Sequence, residues 1–220
     1  MRTYNQLFAL MRRNNGMRLL LLAVYAILVW QYYAKTMPSS IFVGAFRPAV
    51  DSFTPPLVEN MYPILFVVCG VALPLEIFSE YLSIPDSLIY IRRRRGPAHF
   101  CRYLAILFVY SAVYTGIQVW IAFLVIPDCN AKTLLSTSLC AQFTLILLML
   151  VSNFGYLLDN RAAGYISALV LYGLVLCLNP LLRWLIQDAV YLPHWVPVYG
   201  VLALVLIAAN AFAFSRLQII

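Results

Sequence analysis

The chain has 220 residues, of which 64% are apolar and only 10% charged, whereas soluble domains carry ~25% charged residues. That is too little charge to cover a soluble surface. The formal charge of +7, from 15 Lys+Arg against 8 Asp+Glu, does not indicate nucleic acid, because the basic residues fall in short connections between apolar runs, where they set membrane topology.

The composition predicts an all-α membrane protein, a single transmembrane domain over 1–220 with no room for a separate soluble domain. No CxxC pair occurs among Cys69, Cys101, Cys129, Cys140 and Cys177, so neither a zinc site nor a redox site is expected. Cys69, Cys140 and Cys177 read as small packing residues, and Cys129 as a free thiol on the outside.

In chain order, Thr3–Asn15 comes first. Tyr4, Leu7, Phe8 and Met11 follow helical spacing, with Arg12 and Arg13 beside them and Gly16 breaking the pattern. This predicts an amphipathic helix in the headgroup region. A membrane crossing needs about 20 apolar residues. Six runs qualify: 17–34, 61–79, 103–126, 133–158, 162–182 and 195–214. The first starts near Leu19 without a small-residue cleavage site and is expected to remain as a span. Pro74 is expected to kink the second, and Asn179-Pro180 to loosen the last turn of the fifth. Between the first and second spans, Pro38, Pro48, Pro55 and Pro56 rule out one long helix. The apolar stretch 40–46 there is too short to cross and is expected at the membrane surface.

The loop after the second span is the most informative segment. Glu76 and Glu80 lie one helical turn apart at the end of that span. Asp86 or Ser87 can cap a short helix over Leu88, Ile89, Tyr90, Ile91, Arg92, Arg93, Arg94 and Arg95, which Gly96-Pro97 ends. The four arginines sit where a helix C-terminus favours positive charge. With six spans, both ends and this loop share one face with eleven Lys and Arg: Arg2, Arg12, Arg13, Arg18, Arg92, Arg93, Arg94, Arg95, Arg102, Arg161 and Arg216. The other face holds four: Lys35, Arg47, Lys132 and Arg183. The excess predicts that the arginine-rich face is cytoplasmic, with both termini inside and the chain a multi-pass plasma-membrane protein. Membrane lipid is an expected partner, and nucleic acid is not.

No P-loop, HExxH or GxSxG stretch occurs, and His99 and His194 are the only histidines, so neither nucleotide hydrolysis nor metal-dependent hydrolysis is expected of this chain. Asp188 and His194 flank the last loop without a nucleophile. Asn153, Asn179 and Asn210 are expected to hydrogen-bond neighbouring helices.

Six spans, ends inside, an N-terminal surface helix and a structured loop after the second span resemble the permease subunit of an ABC-2-type exporter. The resemblance lies in this layout over the whole chain rather than in a sharp motif. It implies that Ser87–Arg95 is a coupling helix docking into a cytoplasmic ATPase, and that Glu76 and Glu80 are the acidic residues common at the inner end of the second span. It implies a second permease copy or sister permease as partner, with ATP and Mg bound in the ATPase and no cofactor or metal here. The short loop between the fifth and sixth spans departs from larger members, which carry re-entrant extracellular helices there. Apolar, charge-poor spans suit a hydrophobic or amphipathic cargo, a peptide or lipid-like molecule. Three alternatives stand beside this reading. They are the substrate-binding membrane subunit of another transporter, a membrane-embedded enzyme acting on lipid or prenyl substrates, and an adaptor or immunity protein without transport activity.

Overall fold

A computed structural model of the protein describes residues 15–36, 42–49, 56–74, 77–83, 97–126, 130–188 and 192–216. Among the described residues the chain is helical, with no strand. The helices are α1 (Asn15–Thr36), α2 (Pro56–Glu59), α3 (Met61–Ala72), α4 (Ile77–Ser83), α5 (Pro97–Val125), α6 (Ala131–Leu157), α7 (Arg161–Cys177), α8 (Asn179–Ile186) and α9 (Trp195–Arg216). Four stretches are long and apolar enough to cross a membrane: Met61–Leu82, which joins α3 to α4, and α5, α6 and α9. The bent pair α7–α8 makes a fifth if counted as one span, and α1 contributes the shorter apolar stretch Leu22–Ala34. Helices of this length and composition fit a membrane-embedded protein, since a helix satisfies its own backbone groups where no water can. Gly16, expected to break the chain before the first span, lies within α1.

The polar minority faces inward. α6 packs against α3, α4, α5, α7 and α9 and buries Ser138, Gln142, Thr144, Ser152 and Asn153 along with its leucines. α9 turns Val201, Leu204, Val205 and Phe212 outward, and α5 turns out Phe108, Val113, Trp120 and Leu124. In lipid such faces need no protein cover, so the soluble-protein pattern of polar residues outside does not apply.

Two local devices shape the bundle. The α6–α7 hairpin closes through Leu158, Asp159 and Asn160, with Asp159 in the left-handed region at φ 60°. The Asn160 side chain accepts from Ala163 N and caps α7. There the backbones touch: a Cβ on Gly155 would lie 2.3 Å from Gly164 Cα, and one on Gly164 would lie 2.6 Å from the Ser152 carbonyl oxygen. The second device is at Pro74. Proline has no N–H, so the Gly70 carbonyl loses its helical donor. The Tyr110 hydroxyl of α5 donates to that carbonyl at 2.7 Å, and the Tyr114 hydroxyl donates to Phe66 O at 3.0 Å.

The expected fifth span over 162–182 is not one continuous helix. α7 ends at Cys177, and the chain turns 85° into α8. Pro180 cannot donate to the Leu176 carbonyl, and Asn179 directs its side chain out of the helix to Ala49 N at 2.9 Å. Loss of a ladder bond and an outside partner for the next side chain together break the helix.

Candidate functional site

Most of the residues singled out in the sequence lie outside the described residues. These are Tyr4, Leu7, Phe8, Met11, Arg12 and Arg13 of the surface helix, Ser87–Arg95 of the basic loop, and Glu76. Glu80 is described; it is half-buried in α4. Cys69 and Cys140 are buried, whereas Cys177, expected to pack inside, is exposed at the end of α7, as is Cys101 on α5.

What the structure does define is the base of the basic loop. α4 leads into it and α5 leads out, and the two are fastened together. The His99 ring lies 4.9 Å from the Tyr81 ring, with Nε2 3.3 Å from Tyr81 O. Phe214, near the end of α9, packs on His99 and Phe100 at 6.1 and 6.0 Å. Three elements thus meet where the loop departs.

The bundle interior is polar without being charged. Tyr25 donates to Gln118 Oε1 at 3.1 Å, Gln142 Nε2 to Ser111 Oγ at 3.4 Å, and Thr144 Oγ1 to Tyr199 OH at 3.0 Å. Asn153 Nδ2 donates to Asn210 Oδ1 at 2.8 Å, and Asn210 Nδ2 to the Leu150 and Leu206 carbonyls at 3.0 and 2.8 Å. Asn153 and Asn210 join helices, as expected. Among the described residues no group of three His, Cys, Asp or Glu could hold a metal. An apolar cleft of about 140 Å³ opens between α3, α6 and α7, lined by Val67, Val71, Leu148 and Ala168 with Val68 and Leu169 at its rim. An apolar cleft of this kind takes hydrocarbon rather than water.

The opposite end holds the feature the sequence did not foretell. Residues 42–46, expected at the membrane surface, are buried inside the protein: Phe42 is 0% and Val43 1% exposed. A buried irregular segment must find partners for its backbone, and side chains from five places supply them. Phe42 N donates to Thr137 Oγ1 of α6 at 3.0 Å, and Val43 N to the Tyr33 hydroxyl of α1 at 3.0 Å. Asn60 holds both sides of Arg47, accepting from its N–H at 2.7 Å and donating to its carbonyl at 2.8 Å. α8 holds both sides of Ala49, through Asn179 Oδ1 and through Arg183 Nη2, which donates to Ala49 O at 2.9 Å. Gly44 lies flat against the Phe66 ring, where a Cβ would come within 2.6 Å. The signals for this clasp were Asn60 just ahead of an apolar run and Asn179 and Arg183 one turn apart; neither has a spacing that names its partner.

Asp188 and His194 are used in the turn between α8 and α9. Asp188 bridges to Pro193, and His194 stacks on Trp184 at 4.8 Å with Nδ1 2.7 Å from Gln187 O.

Compared with known proteins, the chain matches no family model, and no curated protein or solved structure matches it significantly.

Proposed function

We propose that this chain is the transmembrane permease subunit of an ATP-driven exporter of the ABC-2 type, moving a hydrophobic or amphipathic cargo together with a separate ATPase. The observation that carries the reading is the broken helix. Between α7 and α9 the chain does not simply cross back, but turns 85° into the short α8. The bend, a broken span or a re-entrant element, falls in the place where the family carries its extracellular helices, and this position supports the reading. In this reading α1, α3–α4, α5, α6, α7–α8 and α9 are six spans, and the eleven basic residues put both termini and the loop after α4 in the cytoplasm of a plasma-membrane protein.

The mechanism follows from the fastened loop base. Ser87–Arg95 docks into the ATPase as a coupling helix, with Glu76 and Glu80 at the membrane end of its stalk. ATP and Mg are bound in the partner. When the ATPases close on ATP, the coupling helix moves with them. Because α4, α5 and the end of α9 are joined through Tyr81, His99 and Phe214, that motion passes to three helices at once. A second permease copy or a sister permease completes the path. The apolar cleft between α3, α6 and α7 supports a hydrophobic cargo.

Purification of the tagged chain in mild detergent tests this. An ATPase carrying a P-loop is expected to co-purify in stoichiometric amount. Deletion of Ser87–Arg95 is expected to abolish that while leaving the permease monodisperse on gel filtration. Unchanged co-purification after the deletion rejects the coupling role, and a chain that always emerges alone favours an adaptor without transport activity.

A further inference from the structure

The 42–49 segment carries a cation with two unused donors. The backbone of Arg47 is held by Asn60 on both sides, which fixes where its side chain starts. The side chain then lies against the Tyr32 ring, with Cζ 5.2 Å from the ring centre. Its Nε and Nη2 are buried and have no hydrogen-bond partner. Those two nitrogens form one edge of the guanidinium, the edge whose parallel N–H groups grip a carboxylate or phosphate with two bonds. The Tyr32 hydroxyl, on the same ring, is also buried without a partner. Burial lowers the Arg47 pKa from the ordinary arginine value, while the nearby Glu59 carboxylate favours the charged form; Glu59 makes no hydrogen bond to the two free nitrogens.

The aromatic residues around this unsatisfied pair point to headgroup depth. Tyr32 packs on Tyr62 at 4.5 Å, Tyr62 is partly exposed, and Trp30, two residues earlier in α1, is 57% exposed, the aromatic pattern of a membrane interface. Buried charge left without hydrogen bonds is unfavourable, and an oxyanion supplies the acceptors that such donors lack.

We infer that Arg47 and Tyr32 form an oxyanion site at the 42–49 end of the bundle, taking the phosphate of a membrane lipid or a free phosphate of the same chemistry. The inference does not rest on the exporter reading. The test uses the full chain purified in dodecyl maltoside in phosphate-free buffer, with thermal unfolding as the readout. It is titrated with dioleoyl phosphatidylglycerol, with dioleoylglycerol, which has the same chains and no phosphate, and with inorganic phosphate. Saturating phosphatidylglycerol is expected to raise Tm by about 5 °C, as binding to the native state alone requires, and dioleoylglycerol is not. Inorganic phosphate matching the lipid assigns the site to a free anion; no effect of inorganic phosphate assigns it to the headgroup. Arg47→Lys keeps the charge and loses the fork, and Tyr32→Phe keeps the ring and loses the hydroxyl. Each is expected to lose roughly half of the shift or more. Equal shifts from both lipids, no shift at all, or full shifts in the variants overturn the proposal. If Arg47→Lys yields no folded protein, Tyr32→Phe decides alone.

Discussion

Pro74 and Tyr110 illustrate how one residue's deficit is another's function. The proline removes a donor from α3, and the tyrosine of α5 supplies one to the same carbonyl at 2.7 Å. Tyr110→Phe is therefore expected to cost about 1 kcal/mol, within the range of hydrogen bonds inside membrane helices. The loss has a specific partner. In a Pro74→Ala background the residue-74 N–H can return to Gly70 O, and Tyr110→Phe should then cost little. Unfolding in detergent across this double-mutant cycle checks it; equal losses in both backgrounds would refute the pairing. The interruption of the helix around Pro74 was legible from the sequence, because a missing N–H is a property of the residue type. The compensating hydroxyl was not, because it comes from 36 positions further on.

At the scale of elements, the α6–α7 hairpin is set by two glycines whose backbones touch. Gly155→Ala places a methyl group against backbone that cannot rotate away, and is expected to destabilise by about 1–3 kcal/mol. Gly116, Gly173 and Gly200 meet open space at the Cβ position, so alanine there should leave the melting temperature level or raise it slightly through helix propensity. Comparing Tm across these variants separates contact from propensity, and a neutral Gly155→Ala would contradict the close approach. Helices such as α5, α6 and α9 could be read within a few residues, because in lipid an apolar run long enough to cross has no other way to satisfy its backbone. The burial of 42–49 could not be read. Its N–H and C=O groups are satisfied by Tyr33, Asn60, Thr137, Asn179 and Arg183, residues spread over 150 positions, and no periodicity records such long-range pairing. The break after Cys177 belongs to the same limit. Asn179-Pro180 announced a weakened turn, but the size of the bend depends on the clasp to Ala49.

For the whole molecule, the distribution of arginine makes a prediction about sides. Lys132, Asp159 and Asp188 are all exposed; the first two lie at opposite ends of α6 and the third just past α8. In a chain with its native cysteines replaced by serine, Lys132→Cys and Asp188→Cys are expected to react with a membrane-impermeant thiol reagent in intact cells. Asp159→Cys should react only after permeabilisation. The reverse pattern would invert the orientation that the eleven-to-four count of Lys and Arg supports. The candidate site divides along the same line. At one end the sequence offers a charge pattern at Arg92–Arg95, which lies outside the described residues, while the opposite end consists of neutral side chains and two arginines, Arg47 and Arg183, whose meaning depends on packing.

The bend between α7 and α8 also acts on the lipid around it. α7 has 17 residues, about 25 Å of helix, against a hydrocarbon layer of ~30 Å. With α8 turned 85° away, nothing in line with α7 covers the remaining few ångströms. If α7 crosses a bilayer alone, its length leaves a hydrophobic mismatch on this flank, which thinning of the bilayer there would relieve. The protein's thermal stability should accordingly be higher in phosphatidylcholine nanodiscs with 14-carbon chains than with 20-carbon chains.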